Sequence, residues 1–286
     1  MKILAIGDFH GTFPKKFESL IKKEKIDIVV SNGDYFPFYY RKLWFKHCYR
    51  TNKNLWEIIG KKKYKKLIIK DLRYGEEAIK KLNALPIPVI TVFGNVDYTR
   101  EISEIDVKKY ERKLGKSAKW EWDNQNFFKQ IIKKYKNIKL FSHSFINFQD
   151  YIFIGAYGGS NVGGIKNAIY KKRRKILDKL FKKFSKENKE RKVIFVSHNV
   201  PYNTKLDKAS MKAHPAVRRK HLGSKLIRRM INTYQPVVHV GGHMHESSGQ
   251  QFIGKTLAIN PGAAHEGKAA IITLEKNKKV KVKFIK

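Results

Sequence analysis

Two histidines near the carboxyl-terminal end of the sequence, His243 and His245, have a spacing that suits metal binding. They follow an apolar run, residues 237–240, and the pair Gly241-Gly242. Alternate residues of an extended chain point to the same side, and the glycines let the backbone turn tightly, so both imidazoles can reach one space. Two loop histidines without a metal would have the same pattern. The metal hypothesis therefore depends on what the other strand ends supply.

Short apolar runs elsewhere in the sequence also end in side chains that can bind metal. Runs of this length, bounded by polar residues and glycine, predict buried strands. The side chains at the five strand ends are Asp8, His10, Asp34, Asn95, His198, His243 and His245. Each could by itself cap a helix or form a turn. Their joint occurrence after successive buried strands predicts that they converge outside the carboxyl ends of a sheet.

These side chains define a particular chemistry. Three oxygen donors and four imidazoles favour borderline divalent ions, of which we predict manganese, with iron, zinc, cobalt or nickel as alternatives. Seven ligands exceed what one ion with an open position can use, so two ions are expected, with the Asp34 carboxylate as the natural bridge. Two ions about 3.5–4 Å apart can lower the pKa of a shared water and stabilise the attacking and leaving oxygens of a displacement at phosphorus.

The charge of the chain is strongly positive. The 286 residues include 62 Lys and Arg against 24 Asp and Glu, a formal net charge of +38. Such a field attracts anionic phosphorylated substrates, and nucleic acid is a further candidate partner. The alternative is that the lysines only solvate the surface, as in a lysine-rich proteome or a high-salt cytoplasm.

Several features of the sequence bear on location. Cys48 is the only cysteine, which excludes an intramolecular disulfide and suits a reducing interior. The amino-terminal strand reaches Asp8 before the apolar core of a signal peptide could form. No apolar stretch approaches the length of a membrane span. We predict a cytoplasmic protein with no membrane partner, and the sequence leaves the oligomeric state open.

The order of elements predicts an α/β (α+β) fold. Strands alternate with helices up to about residue 245, and short strands follow to the end, which suits a parallel or mixed sheet. We predict a single domain, 1–286, with lysine- and aromatic-rich helical insertions at about 35–85 and 98–136. These insertions could stack on a nucleic acid strand or form a helical lid. More detailed predictions are helices over 75–82, 101–136 and 165–189, and paired strands over 137–148 and 151–157.

The residues also carry a family resemblance. Asp8-x-His10, Gly33-Asp34, Gly94-Asn95-x-Asp97, His198 and Gly242-His243-x-His245, in this order, resemble the five signature blocks of the calcineurin-like metallophosphoesterase superfamily. The segments Ser197-His198-Asn199-Val200-Pro201-Tyr202, His221-Leu222-Gly223-Ser224 and Asn260-Pro261-Gly262 resemble the archaeal and bacterial Icc-related predicted phosphoesterases. The resemblance spans residues 1 to about 265.

The resemblance implies both a fold and a ligand set. The fold is a sandwich of two mixed β-sheets flanked by helices. One ion is expected to be held by Asp8, His10 and His245. The other is expected to be held by Asn95, His198 and His243, with Asp34 between the two ions.

One position departs from the family pattern. Many members have a histidine after the asparagine of the third block, where it protonates the leaving oxygen or stabilises the transition state. Here that position is Val96, and Asp97, which would orient the histidine, lacks its expected partner. We predict Asp34, Asp97 and His221 as catalytic residues, with His221 as the replacement proton donor. Alternatively, His221 caps the helix that starts near Gly223 or binds substrate without transferring a proton.

The leading functional hypothesis is a dinuclear metallophosphoesterase in which a metal-bound hydroxide attacks a phosphate ester. A phosphodiester of nucleotide or nucleic acid type is preferred, because family members that lack the third-block histidine tend towards diesterase activity. Alternatives are a phosphomonoesterase or phosphoprotein phosphatase and, from another class, a nucleic-acid-binding or scaffold protein with a vestigial metal site. No spacing argument assigns His47, His143, His214 or His265 to the site, and His239 is predicted to be structural.

Overall fold

The computed structural model describes residues 1–49, 51–99, 119–156, 168–211, 217–275, 277 and 279–286. Within these residues, twelve strands form two six-stranded sheets. The strands are β1 (Lys2–Ile6), β2 (Ile28–Ser31), β3 (Val89–Thr91), β4 (Ile138–Leu140), β5 (Phe145–Phe148), β6 (Tyr151–Gly155), β7 (Val193–Asn199), β8 (Val238–Gly242), β9 (Gly249–Ile253), β10 (Thr256–Asn260), β11 (Ala269–Leu274) and β12 (Val280–Ile285).

The two sheets share one plan. The first sheet has the order β12-β11-β1-β2-β3-β4, and the second has the order β5-β6-β7-β8-β10-β9. Four neighbouring strands are parallel in each sheet: β1 to β4 in the first, and β6, β7, β8 and β10 in the second. The remaining strands pair antiparallel at the sheet edges. The predicted sandwich of two mixed sheets is confirmed.

The sequence of β1 is continuously apolar because both faces of the strand are buried. Ile3 and Ala5 lie in the core between the sheets, which also contains Val196 and Val240 of the second sheet. Leu4 and Ile6 alternate with them and pack in the core beneath the helices of the first sheet. Both faces of β1 are therefore covered, as is usual for parallel strands.

Helices cover the outer face of each sheet. The helices of the described residues are α1 (Lys16–Glu24), α2 (Arg41–His47), α3 (Leu55–Ile59), α4 (Lys61–Asn83), α5 (Phe127–Ile132), α6 (Ala168–Lys183), α7 (Ser185–Lys189) and α8 (Lys225–Tyr234). Of these, α2 and α3 pack in a separate core and not on a sheet. Helices α1, α4 and α5 share one core with the first sheet. Phe181 of α6 and Met230 of α8 pack with Phe195 on the second sheet.

The aromatic insertion at 35–85 has a core of its own. Tyr40, Trp56 and Tyr64 are buried there, together with Ile68 and Phe127. Lys61 lies over the ring of Trp56, with its Nζ 5.5 Å from the ring centroid. Most of these aromatic residues therefore pack against one another and against lysine side chains, which fits the apolar underside of a helical layer better than a stacking surface.

Two detailed predictions are wrong. The helix predicted to begin at Gly75 instead begins at Lys61, and Gly75 lies inside α4. A Cβ atom on Gly75 would lie 2.1 Å from the Phe36 ring, so glycine is required by packing and not by a helix end. The segment predicted as one strand, 137–148, is divided between β4 of the first sheet and β5 of the second, where the chain crosses the sandwich.

Parts of the other predictions lie outside the described residues. The described portion of the insertion at 98–136 contains a 3₁₀ turn, Glu121–Asn124, and α5, while 100–118 are not described. His214 and the first residues of the helix predicted over 165–189 are also outside. The assignment of residues 1–286 to one domain stays a prediction. In the part of the chain that the structure describes, no helix is long and apolar enough to cross a membrane.

Candidate metal centre

The carboxyl ends of five parallel strands lie at one end of the sandwich. β1, β2 and β3 of the first sheet lead to Asp8, Asp34 and Asn95. His198 lies near the end of β7, and His243 directly follows β8. The structure brings these side chains together from both sheets.

One group of ligand atoms is centred on His198. Its Nε2 atom lies 2.8 Å from Asn95 Oδ1, 3.1 Å from His243 Nδ1 and 3.3 Å from Asp34 Oδ2. Four potential ligand atoms, two nitrogens and two oxygens, therefore surround one small space. Nitrogen and oxygen ligands of this kind are those that borderline divalent ions prefer.

A second group of ligand atoms lies around His245. Its Nε2 atom is 3.2 Å from His10 Nε2 and 3.3 Å from Asp8 Oδ1. Ligand atoms of Asp8, His10 and Asp34 also lie within 4.8 Å of one another. Asp34 belongs to both groups, since its carboxylate, His198 and His243 fall within the same limit. This is the arrangement that a bridging carboxylate requires.

Backbone carbonyls fix the ring orientation of two histidines. His198 Nδ1 lies 2.9 Å from the carbonyl oxygen of Asn32, and His10 Nδ1 lies 3.2 Å from that of Phe36. A carbonyl can only accept a hydrogen bond, so each Nδ1 is the donor and Nε2 is left for the centre. Histidines that bind metals are commonly oriented in this way.

The carboxylates of the centre are held ionised. Burial opposes ionisation of Asp34, but the neighbouring His198 lowers the pKa of Asp34 well below its usual range. Burial acts against the charged form of His198, yet Asp34 raises the pKa of His198 to about 9. The pKa of Asp8 is also lowered, because His245 outweighs the effect of burial. Burial and the nearby His198 lower the pKa of His243 to about 4.

The ligand residues have an unusual backbone conformation. The φ angles of Asp8, His10, Asp34 and His243 are 55°, 44°, 58° and 71°, in the left-handed region that non-glycine residues seldom adopt. Such strain is typical of functional sites. The backbones also approach closely, since a Cβ on Gly94 would lie 1.9 Å from Asp34 Oδ1. The sharp turns after the strands therefore place the carboxylates deep in the site.

Asp97 connects two of these turns. Its carboxylate accepts hydrogen bonds from the backbone N–H groups of Gly94, Asp34 and Tyr35 at 2.7, 2.9 and 2.7 Å. Burial and the charge of Asp34 raise the pKa of Asp97 to about 7, although the backbone donors oppose this change. With Val96 in place of the expected histidine, Asp97 holds the turn that carries Asp34 against the turn that carries Asn95.

His221 lies on the loop that follows β7. Its Nδ1 atom is 2.7 Å from Oδ1 of the buried Asp207, and its ring lies 6.0 Å from that of Tyr202. Asp207 also accepts the backbone N–H groups of Asn203, Thr204 and Gly223, which fixes the loop. The side chain of His221 is 30% exposed. Its role as proton donor stays a prediction.

The sequence reasoning left His265 out of the site, and the structure places it there. The His265 ring lies 5.1 Å from that of His10 and 5.4 Å from that of His245, centroid to centroid. The segment Asn260-Pro261-Gly262, used for the resemblance, leads directly to it. His239, in contrast, is fully buried within β8 and bonded to Ser197.

The residues fit a pair of divalent ions. Asp8 Oδ1 is buried, and its neighbour His245 Nε2 at 3.3 Å is not placed for a regular hydrogen bond. A buried carboxylate oxygen in this position is costly unless a cation, either a protonated imidazole or a metal ion, neutralises it. Together with the two groups of ligand atoms, this oxygen indicates that the site is built to bind cations.

Comparison with known proteins defines the family. The model of the calcineurin-like phosphoesterase family matches residues 1–247. A protein of Methanocaldococcus jannaschii, described as uncharacterized protein MJ1162, is 27% identical over 266 residues, 91% of this chain and 88% of the relative. The chain belongs to the calcineurin-like phosphoesterases, and it is a metal-dependent phosphoesterase whose family implies a dinuclear divalent metal centre.

Solved structures share the fold. One crystal structure has a TM-score of 0.69 at 19% identity and covers 100% of this chain and 99% of its own. The protein TT1561 of Thermus thermophilus has a TM-score of 0.54 at 14% identity, with coverage of 99% and 97%. A dimetal phosphatase from Danio rerio has a TM-score of 0.52 at 10% identity, with coverage of 100% and 96%.

Proposed function

We propose that this phosphoesterase hydrolyses a phosphodiester of nucleotide or nucleic acid type. One observation carries the proposal of metal-dependent hydrolysis: potential ligand atoms of Asn95, His243 and Asp34 surround His198 Nε2. The carboxylate of Asp34 also lies in the group formed with Asp8 and His10. Val96 supports a phosphodiester as the substrate, because it replaces the expected histidine with a side chain that cannot donate a proton. The net charge of +38 favours an anionic substrate.

Each side chain of the site has a proposed role. Asp8, His10 and His245 would hold one ion, Asn95, His198 and His243 the other, and Asp34 both. Two ions bound there would supply Lewis acidity towards the phosphoryl oxygens and would activate water. Asp97 keeps the turns of Asp34 and Asn95 in register through its three backbone hydrogen bonds. We further propose manganese as the native metal and the cytoplasm as the location.

A hydrolysis panel tests this function directly. Cyclic nucleotides, dinucleotides, RNA, phosphopeptides, aryl monoesters and aryl diesters are incubated with the purified protein and Mn, Fe, Zn, Co or Ni. We expect diesters to be cleaved faster than the matched monoesters, and chelator to abolish the reaction. Faster cleavage of monoesters or phosphopeptides would replace the diesterase proposal by the phosphatase one. No turnover with any metal would support a scaffold role.

An aromatic pair beside the site supports a nucleotide substrate. The rings of Tyr39 and Tyr74 are 5.3 Å apart and are 57% and 42% exposed, unlike the buried aromatic residues of the same insertion. A Cβ atom on Gly11 would lie 3.1 Å from Tyr74 Cβ, so the pair borders the turn that carries His10. Lys70 Nζ lies 5.7 Å from the centroid of Tyr39. Exposed aromatic rings with a neighbouring cation are suited to stack a base and attract its phosphate.

Two substrates that differ only in the nucleoside test this pair. The p-nitrophenyl ester of thymidine 5′-phosphate and methyl p-nitrophenyl phosphate have the same leaving group. Base stacking contributes about 1–3 kcal/mol, so Tyr39→Ala and Tyr74→Ala should lower kcat/KM for the thymidine ester at least about fivefold more than for the methyl ester. Phe252→Ala, which removes another exposed ring from β9, is the control. Equal losses on both substrates would exclude stacking.

His221 is our proposed proton donor to the leaving group. The buried Asp207 carboxylate holds its Nδ1 atom, which orients the ring and leaves Nε2 for substrate. General acids contribute about 10²- to 10⁴-fold, and the gain is largest for poor leaving groups. His221→Ala should therefore slow cleavage of an alkyl diester at least about 10²-fold and change that of a p-nitrophenyl diester far less. Similar rates on the alkyl diester for both proteins would remove His221 from the mechanism.

A further inference from the structure

We infer that His265 is an additional ligand of the ion held by Asp8, His10 and His245. This inference builds on the metal centre but does not depend on the substrate. It makes the two metal positions unequal, with five protein ligands at one and four at the other. The ligands of the richer position would be Asp8, His10, Asp34, His245 and His265.

The backbone fixes the position of His265. The residue belongs to a 3₁₀ turn, Ala264–Glu266, that follows β10. Ala264 N–H donates to the carbonyl oxygen of Gly7 at 2.7 Å, which ties the turn to the segment that carries Asp8. The His265 N–H donates to the carbonyl oxygen of Asp8 at 3.4 Å. The turn is therefore held beside the first ligand by main-chain contacts.

The ring of His265 is oriented like those of two predicted ligands. Its Nδ1 atom lies 2.9 Å from the carbonyl oxygen of Asp8. This carbonyl can only accept, so Nδ1 carries the hydrogen in the neutral ring and Nε2 has the free lone pair. His10 and His198 show the same arrangement, each with Nδ1 on a backbone carbonyl. A backbone partner behind the ring is typical of histidines that bind metal.

The distances suit a shared ion. Ring nitrogens of His10, His245 and His265 all lie within 4.8 Å of one another. Two nitrogens bound to one ion at about 2.1 Å each lie at most about 4.2 Å apart, so this limit is close to the spacing that a shared ion requires. His10 Nε2 and His245 Nε2, at 3.2 Å, already have the spacing of adjacent ligands.

A surface ion pair is the competing interpretation of His265. Its Nε2 atom lies 3.9 Å from Glu266 Oε1, and its side chain is 31% exposed. This distance is too long for a hydrogen bond. Glu266 is also paired with Lys268, whose Nζ lies 2.5 Å from Oε2. The carboxylate of Glu266 therefore has a closer partner, and the His265 ring faces the two histidines of the site.

Unequal ligand sets have a chemical consequence. Five protein ligands leave few positions free on a six-coordinate ion, so the ion beside His265 should exchange slowly. The position of Asn95, His198 and His243 keeps more positions for substrate oxygens. Three imidazoles also favour iron, cobalt, nickel or zinc over manganese, whereas oxygen ligands favour manganese. The two positions are thus expected to differ in their selectivity, and manganese should be displaced more easily by the other ions at the position beside His265.

Cobalt binding tests the inference without any substrate. The metal-free protein is titrated with Co²⁺, and calorimetry and the visible d–d spectrum are recorded for wild type and for His265→Ala, His265→Phe and His47→Ala. Loss of even an outer partner of a ligand lowers metal affinity about 10- to 100-fold. We expect the tighter of two sites to weaken by at least about tenfold in both His265 variants, with a changed spectrum. His47→Ala, which removes an imidazole from α2, should match wild type.

The phenylalanine variant separates ligation from packing. Its ring can fill the space against His10 and His245 but has no lone pair. If His265→Phe keeps the affinity and spectrum of wild type, His265 packs without binding and the inference is wrong. Unchanged affinity in both His265 variants would also overturn it. Circular dichroism of the metal-free variants shows whether each has kept its fold.

Discussion

The two sheets make different contributions to the metal centre. The first sheet supplies every candidate oxygen ligand, through Asp8, Asp34 and Asn95, and only one candidate imidazole, that of His10. The candidate ligands from the second sheet and the loops after it are all imidazole nitrogens. The complete candidate set therefore assembles only when the two sheets pack against each other.

Burial explains why the oxygen and nitrogen ligands must meet. Asp8 and Asp34 are 0% and 2% exposed, a depth at which an unpaired carboxylate would be strongly destabilising. His198 and His245 from the other sheet lie 3.3 Å from these carboxylates. Closing the sandwich therefore compensates the buried charges, and divalent ions complete this compensation.

Removing the shared carboxylate should have the largest effect on this arrangement. Asp34→Asn keeps the shape of the side chain but removes the charge that both groups of ligands share. We expect hydrolysis to fall by more than about 10³-fold, since a single electrostatic contact at a reaction centre contributes about 10²- to 10³-fold and Asp34 serves two ions. Metal analysis should find fewer than two ions per chain. Retention of both ions and most activity would show that the sheets do not need the bridge.

Removing the metal should weaken the connection between the sheets. A ligand present at 100 times its dissociation constant stabilises the folded state by about 2.7 kcal/mol per site. We expect chelation to lower the free energy of unfolding in urea by at least about this amount, with no change in far-ultraviolet circular dichroism. Glu266→Gln, outside the ligand set, serves as a control that should show the same loss. Identical unfolding curves with and without metal would contradict a stabilising role.

A single methyl group added at Gly94 should disturb the Asp34 carboxylate, which the first sheet supplies. In Gly94→Ala the new Cβ would lie 1.9 Å from Asp34 Oδ1 and must displace the bridging carboxylate. We expect metal affinity to fall about 10- to 100-fold, the range found when the support of a ligand is lost. Gly60→Ala is the control, because its positive φ adds backbone strain but nothing lies within 4 Å of the added atom. Equal metal affinity in the two variants would show that the displacement is tolerated.

Metal binding should release a proton from His198, which the second sheet supplies. Asp34 raises the pKa of His198 to about 9, so at pH 7.5 the metal-free imidazole carries a proton. An ion that binds Nε2 must displace this proton. Titration calorimetry with Mn²⁺ in buffers of different ionisation enthalpy should report release of about one proton per chain or more. An enthalpy that is independent of the buffer would mean that His198 is neutral before the ion binds.

The sequence could predict which side chains meet at this edge of the sheets, because each candidate ligand lies at the end of a local pattern. A buried apolar run that ends at Gly7, or at Asn32-Gly33, is visible without knowledge of the fold. Parallel strands then force the ends of such runs to one edge. The assignment of individual ligands to ions came from the family resemblance, and no local signal would have supplied it.

The features that the sequence did not predict depend on tertiary contacts. His265 enters the site because its turn pairs with the backbone of Gly7 and Asp8, which no pattern around residue 265 indicates. Asp adopts the left-handed backbone of Asp34 more readily than most residues, but the turn that requires it is held by tertiary contacts. Gly75 was misread as a helix start because its contact with Phe36 comes from a distant segment.

The smallest expected effect concerns the second-sheet histidine that does not face the ions. Burial lowers the pKa of His239 to about 3, against an ordinary value of 6.5, so the folded protein keeps this ring neutral while the unfolded chain binds a proton. Its contribution to stability is complete above pH 6.5 and is lost as the pH falls towards 3. Between pH 7 and pH 6 the loss should be ~0.7 kcal/mol.

Replacement of this ring isolates the effect. His239→Gln can still donate to Ser197 Oγ, which lies 2.8 Å from His239 Nε2, but it does not titrate. Urea unfolding of the metal-free proteins at pH 7 and pH 6 should show the wild type losing ~0.7 kcal/mol more than the variant. The same pH dependence in both proteins would mean that His239 is protonated in the folded state or reached by solvent. A difference of the expected size would show that His239 stays neutral through burial alone, unlike the candidate ligand histidines that follow β8.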